Sequence, residues 1–321
     1  MRDSLLHKEI GIAANLDRIG HNGYKGYPSG TKSSTFRQFS LLQGRDTVLD
    51  IGWIDYKGGL LTGDASDGSE QEDLYHCLEK STAIVIYLDG YRIASAENIK
   101  QARRFVGTEP IAKIISHFES SKQRSMVNIL IVLTQCDAIE DARWIGAGDY
   151  GPLKEKTKEV LGGLVDMARR NPLWRCGMVA ISAVGRGNNR RTFIQDATFS
   201  TAPVVSDEII GEPEPFNIVQ AFYWLVGCVV AAEKVRAQGR VAALHGRLSA
   251  QKSDEARLVN MGFWKRLFYN DGKWNDEVHS SKRAQEQLSM DILGENQQLQ
   301  AYEQALIPLF RESDKVVTAI S

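Results

Sequence analysis

The chain has 321 residues, 43% of them hydrophobic and 25% charged, with a formal net charge of −1. That balance fits a soluble globular protein of one large or two modest domains and excludes a dedicated polycationic nucleic-acid surface, although the local run from Arg186 to Arg191 is basic enough to touch phosphate. Cys77, Cys136, Cys176 and Cys228 are scattered without Cys-x-x-Cys spacing, which excludes a zinc ribbon or a disulfide framework and suits a reducing cytoplasm.

The first nine residues carry Arg2, Asp3, Lys8 and Glu9 and no apolar core, so no export signal is expected there. Residues 5–19 have amphipathic spacing and precede the turn-rich stretch 21–30, giving a helix and then a loop. Residues 35–42 and 47–55 flank the polar turn 43–46, and their Phe, Val and Ile content predicts a β-hairpin. The second of these strands runs into Asp55, Tyr56, Lys57 and Gly58, where a carboxylate meets a glycine three residues on. The acidic, Gly- and Ser-rich residues 63–72 are expected to form a mobile loop before a helix over 73–80.

Residues 82–89 form a continuous apolar run ending in Asp89 and Gly90, the pattern of a strand buried on both faces of a parallel sheet. A helical segment over 95–120, broken near Gly107 and Pro110, leads to a second such strand over 127–133. After a helix over 154–169 comes a third, residues 176–181. Strands alternating with helices predict a three-layer α/β fold with right-handed crossovers, and ligands in such folds bind at the carboxyl ends of the strands. Residues 218–232 form the longest apolar run. It is interrupted by Gln220 and falls short of the roughly 20 residues of a membrane span, so it reads as a buried helix and no integral membrane segment is expected.

The carboxyl ends of these strands carry Asp55 with Gly58, Asp89 with Gly90, Thr134 through Asp137, and Ser182 with Ala183. A carboxylate just beyond a rigid strand can accept both the ring N–H and the exocyclic amine of guanine, a donor pair that adenine lacks. Asp137 is placed for that task, with Ser182 and Ala183 offering small side chains and a backbone N–H beside the base carbonyl.

These residues resemble the P-loop GTPases of the translation-factor and Ras-like class. Thr35 looks like the switch I threonine, Asp55 to Gly58 like Asp-x-x-Gly, Thr134-Gln135-Cys136-Asp137 like Asn/Thr-Lys-x-Asp, and Ser182-Ala183 like the last guanine motif. More narrowly, Tyr27 to Thr31 and Trp53 to Gly59 are similar to the bacterial double-GTPase domains, a group associated with conflict and signalling gene clusters. The resemblance covers roughly residues 20–232. It implies a Ras-like fold with a mostly parallel sheet that binds GTP or GDP with Mg²⁺. Thr35 and Asp55 would stand at the metal, Gly58 at the γ-phosphate, and Thr134, Asp137, Ser182 and Ala183 at the base.

The departures bear on turnover. No Gly-x-x-x-x-Gly-Lys-Ser/Thr loop occurs in the sequence, and that loop normally wraps the β-phosphate. In the family it would lie upstream of Met1, so the GTPase domain is expected to be N-terminally incomplete or degenerate; the stretch from Gly26 to Ser34 is a weak substitute. Gln135 replaces the usual Lys, and Gly59 stands where many relatives carry the water-orienting Gln. His76, Asp64 and Asp67 are the remaining candidates to position water, Asp50 is the rival of Asp55 for the metal, and Lys57 could offer charge to phosphate.

Beyond residue 232 the chain turns charged and helix-favouring. Leu288, Ile292, Leu299, Tyr302, Leu306, Leu309 or Phe310, Val317 and Ile320 recur at helical spacing, so one stripe faces either this chain or a partner protein, and Pro308 should kink or divide the helix. The expected organisation is an N-terminal helix and loop over 1–30, a GTPase-like domain over 31–232 and a helical region over 233–321. The expected function is a guanine-nucleotide switch with slow or absent hydrolysis. The alternatives are an inactive adaptor of the same fold and a GTPase completed by a partner that supplies the phosphate loop.

Overall fold

The computed structural model describes residues 35–43, 46–55, 68–121, 126–186, 189–194, 204–209, 212–259 and 271–320. The readings made for residues 1–34 and for Lys57, Gly58, Gly59, Asp64 and Asp67 lie outside these residues. The fold is α/β with a mixed sheet and C-terminal helices, in two compact units: Gly52–Val229 with Leu309–Ser321, and Val230–Pro308 with Gln38–Ile51.

In the first unit, β3 (Ala83–Asp89), β4 (Val127–Thr134) and β5 (Trp174–Ala180) lie side by side and parallel. The short β8 (Thr318–Ala319) pairs antiparallel with β5 and closes that edge. The sequence of β4, VNILIVLT, is apolar on both faces because both are covered. Ile129, Ile131 and Leu133 join one core while Leu130 and Val132 join another, as the two-residue period of a strand requires.

The first face is covered by α1 (Gly68–Lys80), α2 (Gly90–Ser95), α3 (Ile99–Val106), α4 (Thr108–Ser121), α6 (Gly151–Val160) and α7 (Gly162–Arg170), with α5 (Ala142–Ile145) packed at its margin. The second is covered by the first turns of the long α8 (Ile218–Val259) through Ala221, Trp224, Leu225 and Cys228. Among the described residues one helix, Ile218–Arg257, is long and apolar enough to cross a bilayer by length and composition, and half of its apolar window is buried inside the protein.

Local sequence explains most boundaries. The Asn98 side chain accepts from the Gln101 amide to start α3, and Gly107 ends it in the left-handed region at φ 62°. Pro110 then falls in the first turn of α4, where its missing N–H costs nothing. The predicted loop over 63–72 is corrected in part, since α1 already begins at Gly68. The hairpin of β6 (Asn189–Ile194) and β7 (Val204–Ile209) was not anticipated.

Strands β1 (Thr35–Gln43) and β2 (Asp46–Asp55) form the expected two-stranded sheet. The two residues between them permit only an antiparallel hairpin, since a parallel crossover needs a dozen or more.

In the second unit, α8 continues without a break through residue 232 and meets α9 (Asp271–Ser313). Lys234 pairs with Glu303 at 2.8 Å, Arg240 grips Glu295 through two bonds at 2.8 and 3.0 Å, and Gln285 donates to Glu255. Partner numbers fall on one helix as they rise on the other, so the helices are antiparallel. Ile292 and Tyr302 of the predicted stripe are buried, and Ala237, Val241, Leu244 and Leu248 repeat at the matching spacing on α8. Pro308 lies inside α9 without dividing it.

The predicted helical stripe ends earlier than expected. The helix stops at Ser313, and the β-branched run Val316, Val317 and Thr318 leaves it to enter the sheet. There the buried Lys154 donates from Nζ to the Val316 carbonyl at 3.2 Å and to Thr318 Oγ1 at 3.0 Å, while the Ile320 amide donates to the Cys176 carbonyl at 2.9 Å.

The tightest point of this closure is Gly177, where an added Cβ would stand 2.8 Å from both Trp224 Cζ2 and Val317 Cγ1. Gly177→Ala should therefore destabilise the protein by about 1–3 kcal/mol through overpacking. Urea unfolding checks this, and an unchanged midpoint would contradict the packing described.

Candidate functional site

The parallel register brings the ends of three strands to one edge. Asp89 lies opposite Thr134, Leu133 opposite Ala180, and the Ile181 amide donates to the Leu133 carbonyl at 2.9 Å. The loops after β4 and β5 are therefore neighbours, and Gly90 follows β3 directly beside them. A Cβ on Gly90 would come within 3.0 Å of both Cys136 Sγ and the Thr134 carbonyl, so the close approach of these turns needs a glycine.

Each residue that the resemblance places at the base has a defined environment. Thr134 Oγ1 donates to the Leu88 carbonyl at 3.2 Å, which ties the end of β4 to β3. Gln135 adopts the left-handed conformation at φ 59° and ψ 24°, reversing the chain into the 3-10 turn Cys136–Ala138. That turn carries Asp137, which is 3% exposed. Ser182 is 2% exposed, and its Oγ accepts from the amides of Val184 at 3.1 Å and Gly185 at 2.8 Å, so the hydroxyl shapes its own loop. Ala183 is half-buried beside it. Thr134, Asp137, Ser182 and Ala183 are thus gathered at one edge by the backbone.

The electrostatics agree with this clustering. Burial pushes the Cys136 thiol well above its ordinary range, with the Asp137 and then the Asp89 carboxylate adding to the effect. The backbone amide of Ile181 and the charge of Lys154 oppose it. Two carboxylates and a buried ammonium therefore act on one point at the carboxyl end of β4.

The phosphate-side candidates are only partly described. Thr35 is the first residue of β1 and Asp55 the last of β2. Ser40 Oγ donates to Asp50 Oδ1 at 2.6 Å, and Gly52 lies against the ring of Phe36, so Thr35 and Asp55 fall together at the open end of the hairpin. Asp50 is engaged by Ser40, and His76 is exposed on α1. Desolvation and, second, the Asp55 charge push the Tyr87 hydroxyl up to about 12, although the residue as a whole is 57% exposed. Asp55 therefore acts electrostatically on β3 two residues before Asp89. Gly58 lies outside the described residues, and among them no group of acidic, His or Cys side chains is arranged to hold a metal.

Sequence reading missed the residues behind the base-side loops. Tyr150 is 1% exposed, and its hydroxyl donates to the Cys136 carbonyl at 3.0 Å. Arg186, the first residue of the basic run read as able to touch phosphate, donates to the Gly148 carbonyl and lies over the rings of Tyr150 and Phe216. The only sequence signal near Tyr150 was Gly151-Pro152, which marks a helix start but says nothing about the aromatic before it.

Burial also pushes the thiols of Cys176 and Cys228 up to about 12, while Cys77 is only half-buried. A maleimide near neutral pH should therefore modify Cys77 first and reach Cys136, Cys176 and Cys228 only on unfolding. Mass spectrometry of the labelled protein reads this directly, and rapid modification of Cys136 in the folded chain would contradict the site geometry.

In comparison with known proteins, no family model, no curated protein and no solved structure matches the chain.

Proposed function

We propose that the chain is a guanine-nucleotide-binding switch of the Ras-like GTPase kind, with the base end of its site built as the sequence resemblance implies. The observation that carries the reading is the meeting of Thr134, Asp137, Ser182 and Ala183 at the carboxyl ends of adjacent parallel strands, where a ligand in an open α/β sheet binds. Asp137 would accept the two N–H groups of guanine, and backbone amides near Ala183 would meet the base carbonyl. Thr35 and Asp55 would hold Mg²⁺, with Gly58 at the γ-phosphate. Turnover of GTP is expected to be slow or absent, because Gly59 follows Gly58 where the resembled family carries its water-orienting Gln.

Completion by a partner is the second reading. Among the described residues β3 pairs with β4 and stands at the edge of the sheet, where a further strand could be added, and Tyr87 on β3 is exposed. A parallel strand added at this edge would end beside Asp89. Any partner of the C-terminal helices would meet the outer face of α9, where Met290, Leu293 and Ile307 are exposed.

Titration with a fluorescent guanine nucleotide and Mg²⁺ should give saturable binding that adenine nucleotide does not compete for. Asp137→Ala should weaken it by at least about tenfold, because the guanine donors lose a charged acceptor. No binding at millimolar nucleotide would remove the switch reading for the chain on its own.

A further inference from the structure

Backbone strain is concentrated at one end of the sheet. Among the described residues, three that are not glycine have positive φ: Gln135 at 59°, Tyr150 at 58° and Asn217 at 58°. Such conformations persist where the surroundings over-determine them, and they cluster where geometry is functional. Gln135 opens the turn that carries Asp137. Tyr150 donates to the carbonyl of that turn, and Asn217 donates from Nδ2 to the Ala180 carbonyl at 3.0 Å, at the end of β5.

A ring stack joins the segments that these residues open or flank. The rings of Tyr150 and Phe216 stack with centroids 5.8 Å apart and planes 8° from parallel. Phe216 and Ser182 exchange both backbone hydrogen bonds, at 3.0 and 3.3 Å, so the stack grips the Ser182 turn on one side and the Cys136 carbonyl on the other. The Arg186 guanidinium lies 5.5 Å from the Tyr150 ring centre and 5.6 Å from that of Phe216 while bonding the Gly148 carbonyl, so it covers both rings. Gly185 makes room for this return: its φ is 91°, and a Cβ there would stand 2.5 Å from the Glu214 carbonyl oxygen.

We propose that Tyr150, Phe216 and Arg186 form a clamp that fixes the Thr134–Asp137 loop and the Ser182–Gly185 turn in one mutual geometry, making Tyr150 and Arg186 positioning residues for the purine base. The clamp rests on the base-site reading only for its purpose; its mechanical content stands without a nucleotide. Burial holds the Tyr150 hydroxyl at a pKa of about 12, so it remains a donor to Cys136 throughout the neutral range. Loss of the Tyr150 bond leaves the Cys136 carbonyl with the Ile139 amide alone, at 3.3 Å within its own turn, and loss of Arg186 uncovers the stack; either change should loosen both loops because they share the same two rings.

Amide hydrogen exchange of the nucleotide-free chain tests this with Tyr150→Phe, which keeps the ring, and with Arg186→Ala, a surface change that protects the test should the first variant fail to fold. The expected result is faster exchange in 134–138 and 182–185 together, with the centres of β4 and β5 unchanged. Guanine-nucleotide affinity should fall about three- to tenfold, the loss of one hydrogen bond's worth of ordering. Exchange that rises in only one segment, or in neither, in a folded variant overturns the clamp. If both segments loosen but the unaltered chain binds no guanine nucleotide, the clamp stands and the base-site reading falls. If the unaltered chain binds nucleotide and the variants match it in affinity and exchange, the clamp falls and the reading survives.

Discussion

Strand β4 is covered from four sides: β3 and β5 take its backbone on either edge, and two separate apolar cores take its faces. With every residue from Val127 to Leu133 buried, neither its register nor its direction can shift without moving apolar side chains to the wrong face or leaving backbone groups unpaired. This constraint brings the turns after β3, β4 and β5 together at one edge. Thr134 then locks to Leu88, Gly90 allows the turns to touch, and Asp137 ends up buried in a turn instead of waving in a loop.

The two halves of the proposed site rest on different support. The base half is built from strand ends and held by tertiary contacts reaching far along the chain, including Tyr150 to Cys136 and Phe216 to Ser182. The phosphate half rests on the far end of a two-stranded hairpin, where Thr35 and Asp55 come together and Asp55 reaches Tyr87 electrostatically. A two-stranded hairpin is marginal without a third strand or a covering element, so the difference between the halves is physical. It suits a module in which recognition of a base is organised first and phosphate chemistry depends on what completes the site.

The parts that were legible in the sequence are those whose signals are local. The three parallel strands appeared as uninterrupted apolar runs, the break at Gly107 as a glycine between helical patterns, and the apolar face of α9 as a stripe recurring at three, four or seven residues from Leu288 to Leu306, although its spacing did not say what it faces. The parts that were not legible depend on contacts distant along the chain. Nothing beside Tyr150 announces that it will bond Cys136 or stack on Phe216, and a left-handed Gln135 has no composition of its own. The run from Val316 to Ile320 continued the helical stripe by spacing. It became a sheet edge because Lys154 and Cys176 offered its backbone partners that a helix end lacks. Similarly, the Gly- and Ser-rich start of α1 resembled a loop, and residue propensity alone did not decide it.

The central claim is that the carboxyl edge of this sheet receives a guanine base. Hydrogen exchange of the unaltered chain with and without GDP and Mg²⁺ tests it most directly, because it reports where a ligand sits as well as whether one binds. New protection is expected in 134–138 and 182–185 and beside Thr35 and Asp55, with the α8–α9 hairpin unchanged. Protection that appears elsewhere and spares both segments, or no change at millimolar GDP, would contradict it.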